Sequence, residues 1–269
     1  MSLFDKLARR TASGGAQSAD APPTATPAGI GSGGGARDVQ RTLRTHTGQV
    51  PTQFIAPVEM SAQQRKVVAM AASVLLRYPG PDYLAHLAVV DEQAATLPLA
   101  VASDFIDFTS WARGIGGRGL EEHYVETFDQ RRRCSLFLSY YAVGDTRQRG
   151  MAILSFREQL ESLGFSVSED ELADHLCVIL EAVGLSEGAA HERAVELLAS
   201  HRQGLEVLRA ALTQLGSPYA SLIIAVCKAL PEVDADTAQK YVDLIRTGPP
   251  AEMVGIADLP FPTAQPDFI

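Results

Sequence analysis

From Ser61 onward the chain places its apolar residues three and four apart, and a two-residue alternation is absent over any length that would make a strand. The stretch SAQQRKVVAMAASVLLRYPG opens with Ser61 and Gln64 as a capping box and stops at Pro79-Gly80. Pro81 suits the first turn of a second helix, and PLAVASDFIDFTSWARG predicts a third. GLEEHYVETFD leads into another helix over RRRCSLFLSYYAV. Asp145 with Gln148 caps the one after it, which runs to Gly164. Ser168 and Glu171 form a further capping box ahead of LADHLCVILEAVG. A long helical stretch from about Ser186 to Gly216, with a break expected near Gly204, precedes SPYASLIIAVCKALP, where Pro218 falls in a first turn. A last short helix is predicted over 236–246. No fixed-period repeat is present, so the pattern predicts an all-α, single-domain bundle of about eight to ten helices.

Outside that pattern the chain changes character. Between Thr11 and Pro57 it is mostly Gly, Ala, Pro, Ser and Thr, which bury too little apolar surface to offset the entropy of ordering. The expected organisation is a disordered arm over 1–58, a helical domain over 59–247 and a Pro-rich extended tail over 248–269. GIGSGGG in the arm lacks the Lys-Ser/Thr and flanking strand of a phosphate loop and reads as linker. Residues 1–58 carry six basic side chains against three acids, a net of +3, whereas the whole chain of 269 residues has a net charge of −9, leaving −12 for the rest.

Charge and composition exclude several classes. A sequence pI of about 5.2 argues against a nucleic-acid binder, which needs clustered Lys and Arg across a face. Cys134, Cys177 and Cys227 sit in apolar stretches with no CxxC pair, so no disulfide framework is expected and a reducing cytoplasm fits. MSLFDKLARR runs directly into TASGGAQSAD without an apolar core, so no secretory signal is expected. VVAMAASVLL and SLIIAVC fall short of the roughly 20 residues of a membrane span.

Catalytic and metal chemistry find little purchase. GIGGRG matches G-x-G-x-x-G at Gly114, Gly116 and Gly119 but follows a helix rather than a strand, so it reads as a flexible inter-helix loop. His175 and Cys177 are two apart on a predicted helix and do not face each other, and no second pair completes a tetrahedral set. There is no G-x-S-x-G elbow. Neither an enzyme nor a bound metal or cofactor is expected.

FDQRRRCSLFLSYYAVGDTRQRG, Phe128 to Gly150, is the unusual segment. On a helical wheel its apolar residues point every way, so the helix is expected to be central, with Leu136, Phe137 and Leu138 in the core. Arg131, Arg132 and Arg133 in its first turn would oppose the helix dipole, as would Arg147 and Arg149 in the next, and a broken local rule points to function. Two readings stand. The arginines pair with Glu121, Glu122, Glu126 and Asp129 to fix a junction, or they rim a groove whose apolar contacts come from Tyr124, Phe128 and Tyr140. In ELADHLCVILEAV, Leu172, Leu176, Ile179, Leu180 and Val183 form one apolar stripe, while Asp174 and Glu181 lie opposite with His175 at the border. That acidic face is either solvated or receives the basic side of an amphipathic peptide.

YVETFDQRRRCSLFLSYYAVGDTRQRG and DELADHLCVILE, with SPYASLIIAVCKALP as a weaker third match, resemble the NarJ family of nitrate reductase assembly chaperones over roughly 61–231. The resemblance implies an all-helical cytoplasmic chaperone, itself without a bound metal, that binds the N-terminal segment of the nitrate reductase catalytic (alpha) subunit. It would hold that subunit ready for its molybdenum cofactor and iron–sulfur cluster and delay membrane docking. Tyr124, Phe128, Asp129, Arg131, Arg132, Arg133, Tyr140, Asp145, Arg147 and Arg149 match the first motif; Asp174, His175, Leu176 and Glu181 match the second. The chain departs from the family pattern at Ala173 and Cys177, where Pro is frequent, and at Leu160, where Tyr is expected.

Overall fold

The computed structural model describes residues 53–144, 147–168 and 170–232. Asp145, most of the arm, the helix expected over 236–246 and the C-terminal tail lie outside the described residues. Those described form nine α-helices and no strand: α1 (Ala62–Leu75), α2 (Tyr83–Ala94), α3 (Leu99–Tyr124), α4 (Leu138–Val143), α5 (Arg149–Ser162), α6 (Leu176–Leu185), α7 (Gly188–Ser200), α8 (Arg202–Leu215) and α9 (Tyr219–Ala229). The all-α bundle read from the spacing is the fold.

The capping box at α1 forms as its sequence requires, Gln64 N–H donating to Ser61 Oγ at 3.2 Å and Ser61 N–H to Gln64 Oε1 at 3.0 Å. Beyond that first turn α1 is buried on every side from Lys66 to Leu75, and it lies against α6, whose Leu176, Cys177, Ile179, Leu180 and Val183 are also buried. The two helices come close because position 184 is glycine, where a Cβ would sit 3.2 Å from the Met70 side chain. α9 packs against α1, α3 and α8, with Leu222, Ile223, Ala225 and Cys227 shut off from water.

Several expected boundaries move, each for a local reason. GIGGRG does not make a loop: α3 continues through it with one kink at Gly116 (φ 76°, ψ 172°), a conformation that glycine adopts without a Cβ clash. The break between α7 and α8 falls at His201, not near Gly204. Gly204 lies inside α8 because Tyr141 packs onto it, and a Cβ there would stand 2.9 Å from Tyr141 Cβ.

The largest correction concerns the arginine-rich segment, which is not one helix. After α3 the chain makes a π-helical turn over Val125–Asp129, extends at Arg131 and makes a 3-10 turn over Arg132–Cys134. It extends again before α4 starts at Leu138. The three arginines therefore precede the helix instead of opposing its dipole. Ser168 and Glu171 likewise cap no helix; Glu171 N–H closes a turn on the Ser168 carbonyl at 3.3 Å, and α6 starts at Leu176 with His175 as its cap. α5 starts at Arg149 with Gln148 in the cap position, making no side-chain cap bond.

Gln53–Val58 runs along α8 and α9, held through its main chain. Ile55 N–H donates to Glu206 Oε1 at 2.8 Å, Val58 N–H to the Lys228 carbonyl at 2.8 Å, and Arg202 donates to the carbonyls of Ile55 and Leu230. Glu206 is wholly buried and is neutralised by Arg209 at 2.6 Å and Arg202 at 3.6 Å.

Candidate functional site

Two segments far apart in sequence are knitted together at the start of α4 and α6. Leu138 N–H donates to the Asp174 carbonyl at 2.9 Å and Leu176 N–H to the Leu136 carbonyl at 2.8 Å, which pairs Phe137 with His175 as an isolated antiparallel bridge. Beneath this bridge the Ser139 hydroxyl donates to Asp174 Oδ2. Asp174 is wholly buried, and its Oδ1 has no hydrogen-bond partner. Burial pushes its carboxyl up, opposed by the Ser139 bond and the positive charge of Arg149. Asp174 and Glu181 thus do not share an exposed acidic face, because the chain before Leu176 is not helical and turns Asp174 inward.

His175 caps α6, its Nδ1 accepting from Cys177 N–H at 3.3 Å. Burial and then the charge of Arg77 push the imidazole down to about 4, so it is neutral near pH 7, as an accepting cap requires. Its ring meets Phe137 edge-on at 5.1 Å, and the Arg149 guanidinium lies 5.0 Å over the Phe137 ring. Leu176 is core.

Glu181 is occupied. Arg77, at the end of α1, donates to Glu181 at 2.7 Å and to Glu171 at 3.2 Å, while Ser73 donates to Glu181 at 3.2 Å. The neighbouring Tyr78, 53 % exposed, meets Tyr124 edge-on at 5.4 Å; Tyr124 packs on Phe128 at 4.8 Å, and Phe128 on the buried Tyr219 at 4.9 Å. The turn Arg77-Tyr78 thus links the α6 cluster to this row of rings.

The remaining predicted residues distribute around these two groups. Tyr140 stacks edge-on against Tyr141 at 5.5 Å, with no ring contact to Tyr124 or Phe128 among the described residues. Asp129, Arg131, Arg132, Arg133 and Arg147 are exposed. Arg131 Nε donates to the Glu126 carbonyl at 3.2 Å, but none of the three consecutive arginines forms an ion pair among the described residues, so the expected pairing with Glu121, Glu122, Glu126 and Asp129 is not made. Asp145 lies outside the described residues. Arg77, Tyr78 and Ser139 were missed from the sequence. Arg77 pairs with acids far along the chain, which no local spacing signals.

Burial holds Cys177 up at about 12 and raises Cys134, which keeps both thiols protonated and unreactive near neutral pH. No group of three or more His, Cys, Asp or Glu side chains suited to a metal exists among the described residues. The class so defined is an all-α bundle with two sequence motifs joined into one surface.

The profile of the nitrate reductase delta subunit family matches residues 90–225, half of the chain and both joined motifs. The chain belongs to this family. It is 35% identical over 166 residues to the nitrate reductase-like protein NarX of Mycobacterium tuberculosis, covering 60% of this chain and 24% of that one. It thus spans about a quarter of the length of NarX. Against the probable nitrate reductase molybdenum cofactor assembly chaperone NarJ of Bacillus subtilis it is 27% identical over 177 residues, covering 65% of this chain and 94% of that one. The assembly chaperone NarJ of Escherichia coli K12 is 34% identical over 132 residues, covering 48% and 55%.

Proposed function

We propose that this protein is an assembly chaperone for a respiratory nitrate reductase. It binds the N-terminal segment of the apo catalytic subunit in the cytoplasm and keeps that subunit open to its molybdenum cofactor and iron–sulfur cluster until both are in place, before membrane docking. The cofactor is cargo for the client, and the chaperone makes and breaks no covalent bond. Residues 59–247 carry this work, with 1–58 and 248–269 as extensions.

The observation that carries the reading is that the family match covers both motifs, and that these are the segments joined through Leu138, Ser139, Asp174 and Leu176. The names of the NarJ relatives support the same activity. The docking face runs from Phe128 and Tyr124, across Tyr78 and Arg77, to Phe137 and His175, with the arginine turn at its rim.

The test is a pull-down with tagged full-length protein from cells grown anaerobically with nitrate. Recovery of the catalytic subunit without its cofactor is expected. Its absence from the eluate of cells rich in the reductase would overturn the assignment.

A further inference from the structure

The charges at the docking face are not the ones that the sequence pattern suggests. Of the four acids of the second motif, three are engaged by the fold: Asp174 accepts from Ser139, and Glu171 and Glu181 are paired to Arg77, while Asp170 is exposed. The unpaired charge concentrated beside the row of rings is of the opposite sign. Arg131, Arg132 and Arg133 are all exposed, and the exposed Glu126 and Asp129 on the preceding turn form no ion pair with them.

These arginines stand on a fixed backbone. Cys134 is buried and its N–H closes the turn on the Arg131 carbonyl at 2.9 Å; the Tyr141 hydroxyl donates to the Ser135 carbonyl at 2.8 Å and is shared with that of Arg133 at 3.3 Å. A 3-10 turn has three residues per turn, so consecutive side chains fan apart. The fixed backbone thus presents three exposed guanidinium groups, planar donor forks of the kind that take carboxylates in bidentate pairs. Half-exposed Phe128 and exposed Tyr78 lie on the Tyr124 ring just before this turn in the chain.

We infer that the Arg131–Arg133 turn is a docking site for an acidic polypeptide segment that carries an aromatic or apolar residue beside its carboxylates. The inference rests on reading this surface as the docking face, and it names the chemistry of the partner there. The net charge of −12 outside residues 1–58 disfavours such a segment elsewhere on the helical domain, so the turn orients the partner as well as holding it. A nucleic acid suits the site less, since three guanidinium groups neutralise few phosphates against that overall charge.

Fluorescence anisotropy on the full chain tests this with labelled synthetic peptides of alternating Glu and Phe or of alternating Lys and Phe, and with a single-stranded oligonucleotide. The Glu-Phe peptide should bind best, about tenfold more weakly to R131E/R132E/R133E and with unchanged affinity to the surface control R118E/R193E. Binding should also weaken between about 50 and about 200 mM salt. Equal affinity of wild type and the triple variant, a preference for Lys-Phe, or tighter binding of the oligonucleotide would each overturn the inference. The synthetic N-terminal segment of the catalytic subunit serves as a separate probe. If it fails to bind while the Glu-Phe peptide binds as expected, the chaperone reading falls and the acidic site stands; the reverse pattern removes the acidic site alone. A thermal scan of the triple variant should match wild type and rules out unfolding as the cause of lost binding.

Discussion

The hydroxyl of Ser139 donates to the carboxylate of Asp174, and both residues are wholly shut off from water. One side chain comes from each motif, so the pair holds together a surface whose halves are far apart in the chain. Ser139→Ala leaves the acid buried without this donor and should cost about 1–3 kcal/mol, read as a lower urea midpoint. Asp174→Asn keeps a hydrogen-bonding partner for Ser139 and should cost less. Equal losses in the two variants would show that the carboxylate itself matters as much as the bond.

His201 supplies a pH dependence of stability. It is buried, and burial pushes its imidazole down to about 4 despite the hydrogen bond to the Leu197 carbonyl. The unfolded chain therefore binds the proton more readily, and stability rises with pH between about 4 and 6.5 and is lost as pH falls through that window. His175, also held at about 4, acts in the same direction, whereas the raised Asp174 opposes it at the acid end. The effect is on the order of 3 kcal/mol for one such histidine. His201→Asn should flatten the profile in urea melts across this range.

Gly204→Ala places a methyl group against Tyr141 Cβ, inside contact distance. Alanine would ordinarily favour a helix by about 1 kcal/mol. Overpacking should win, leaving a net loss of roughly 1–2 kcal/mol in chemical denaturation. A stabilised variant would mean that α4 gives way without cost.

Leu136→Asp and the Arg131–Arg133 triple alanine separate core from surface within one short stretch. Leu136 is 4% exposed, and a charge there should cost more than about 3 kcal/mol, visible in a thermal scan. The triple alanine should stay within about 0.5 kcal/mol of wild type, because those side chains form no ion pair among the described residues.

The helices were legible where one periodicity governs a stretch. The Ser61 capping box, the Pro218 start of α9 and the Leu176, Ile179, Leu180 and Val183 part of the α6 stripe follow from local sequence, whereas Leu172, expected in that stripe, precedes the helix and is exposed. Legibility failed where a tertiary contact overrides local preference. Ser168 and Glu171 look like a helix start, yet residues 172–175 make a turn and the bridge to Phe137 holds His175 extended, so the helix waits until Leu176. The same bridge ends any single helix through the arginines. Gly204 resembled a breaker because the sequence does not show the Tyr141 ring that fills the missing side chain. Of the candidate site, the two motifs were readable, but Arg77 pairs with acids 94 and 104 residues away, and no local pattern reports that.

Arg202 grips the carbonyls of Ile55 and Leu230 with one guanidinium group, and the carboxylate of Glu206 anchors the same cluster. In mechanical terms, a force applied between positions 55 and 230 is borne first by this clamp and not by the helices behind it. Tension drawn across these positions would peel Gln53–Val58 from α8 while the α1–α6 core remained packed, so the clamp works as a fuse between the bundle and whatever pulls on its flanks.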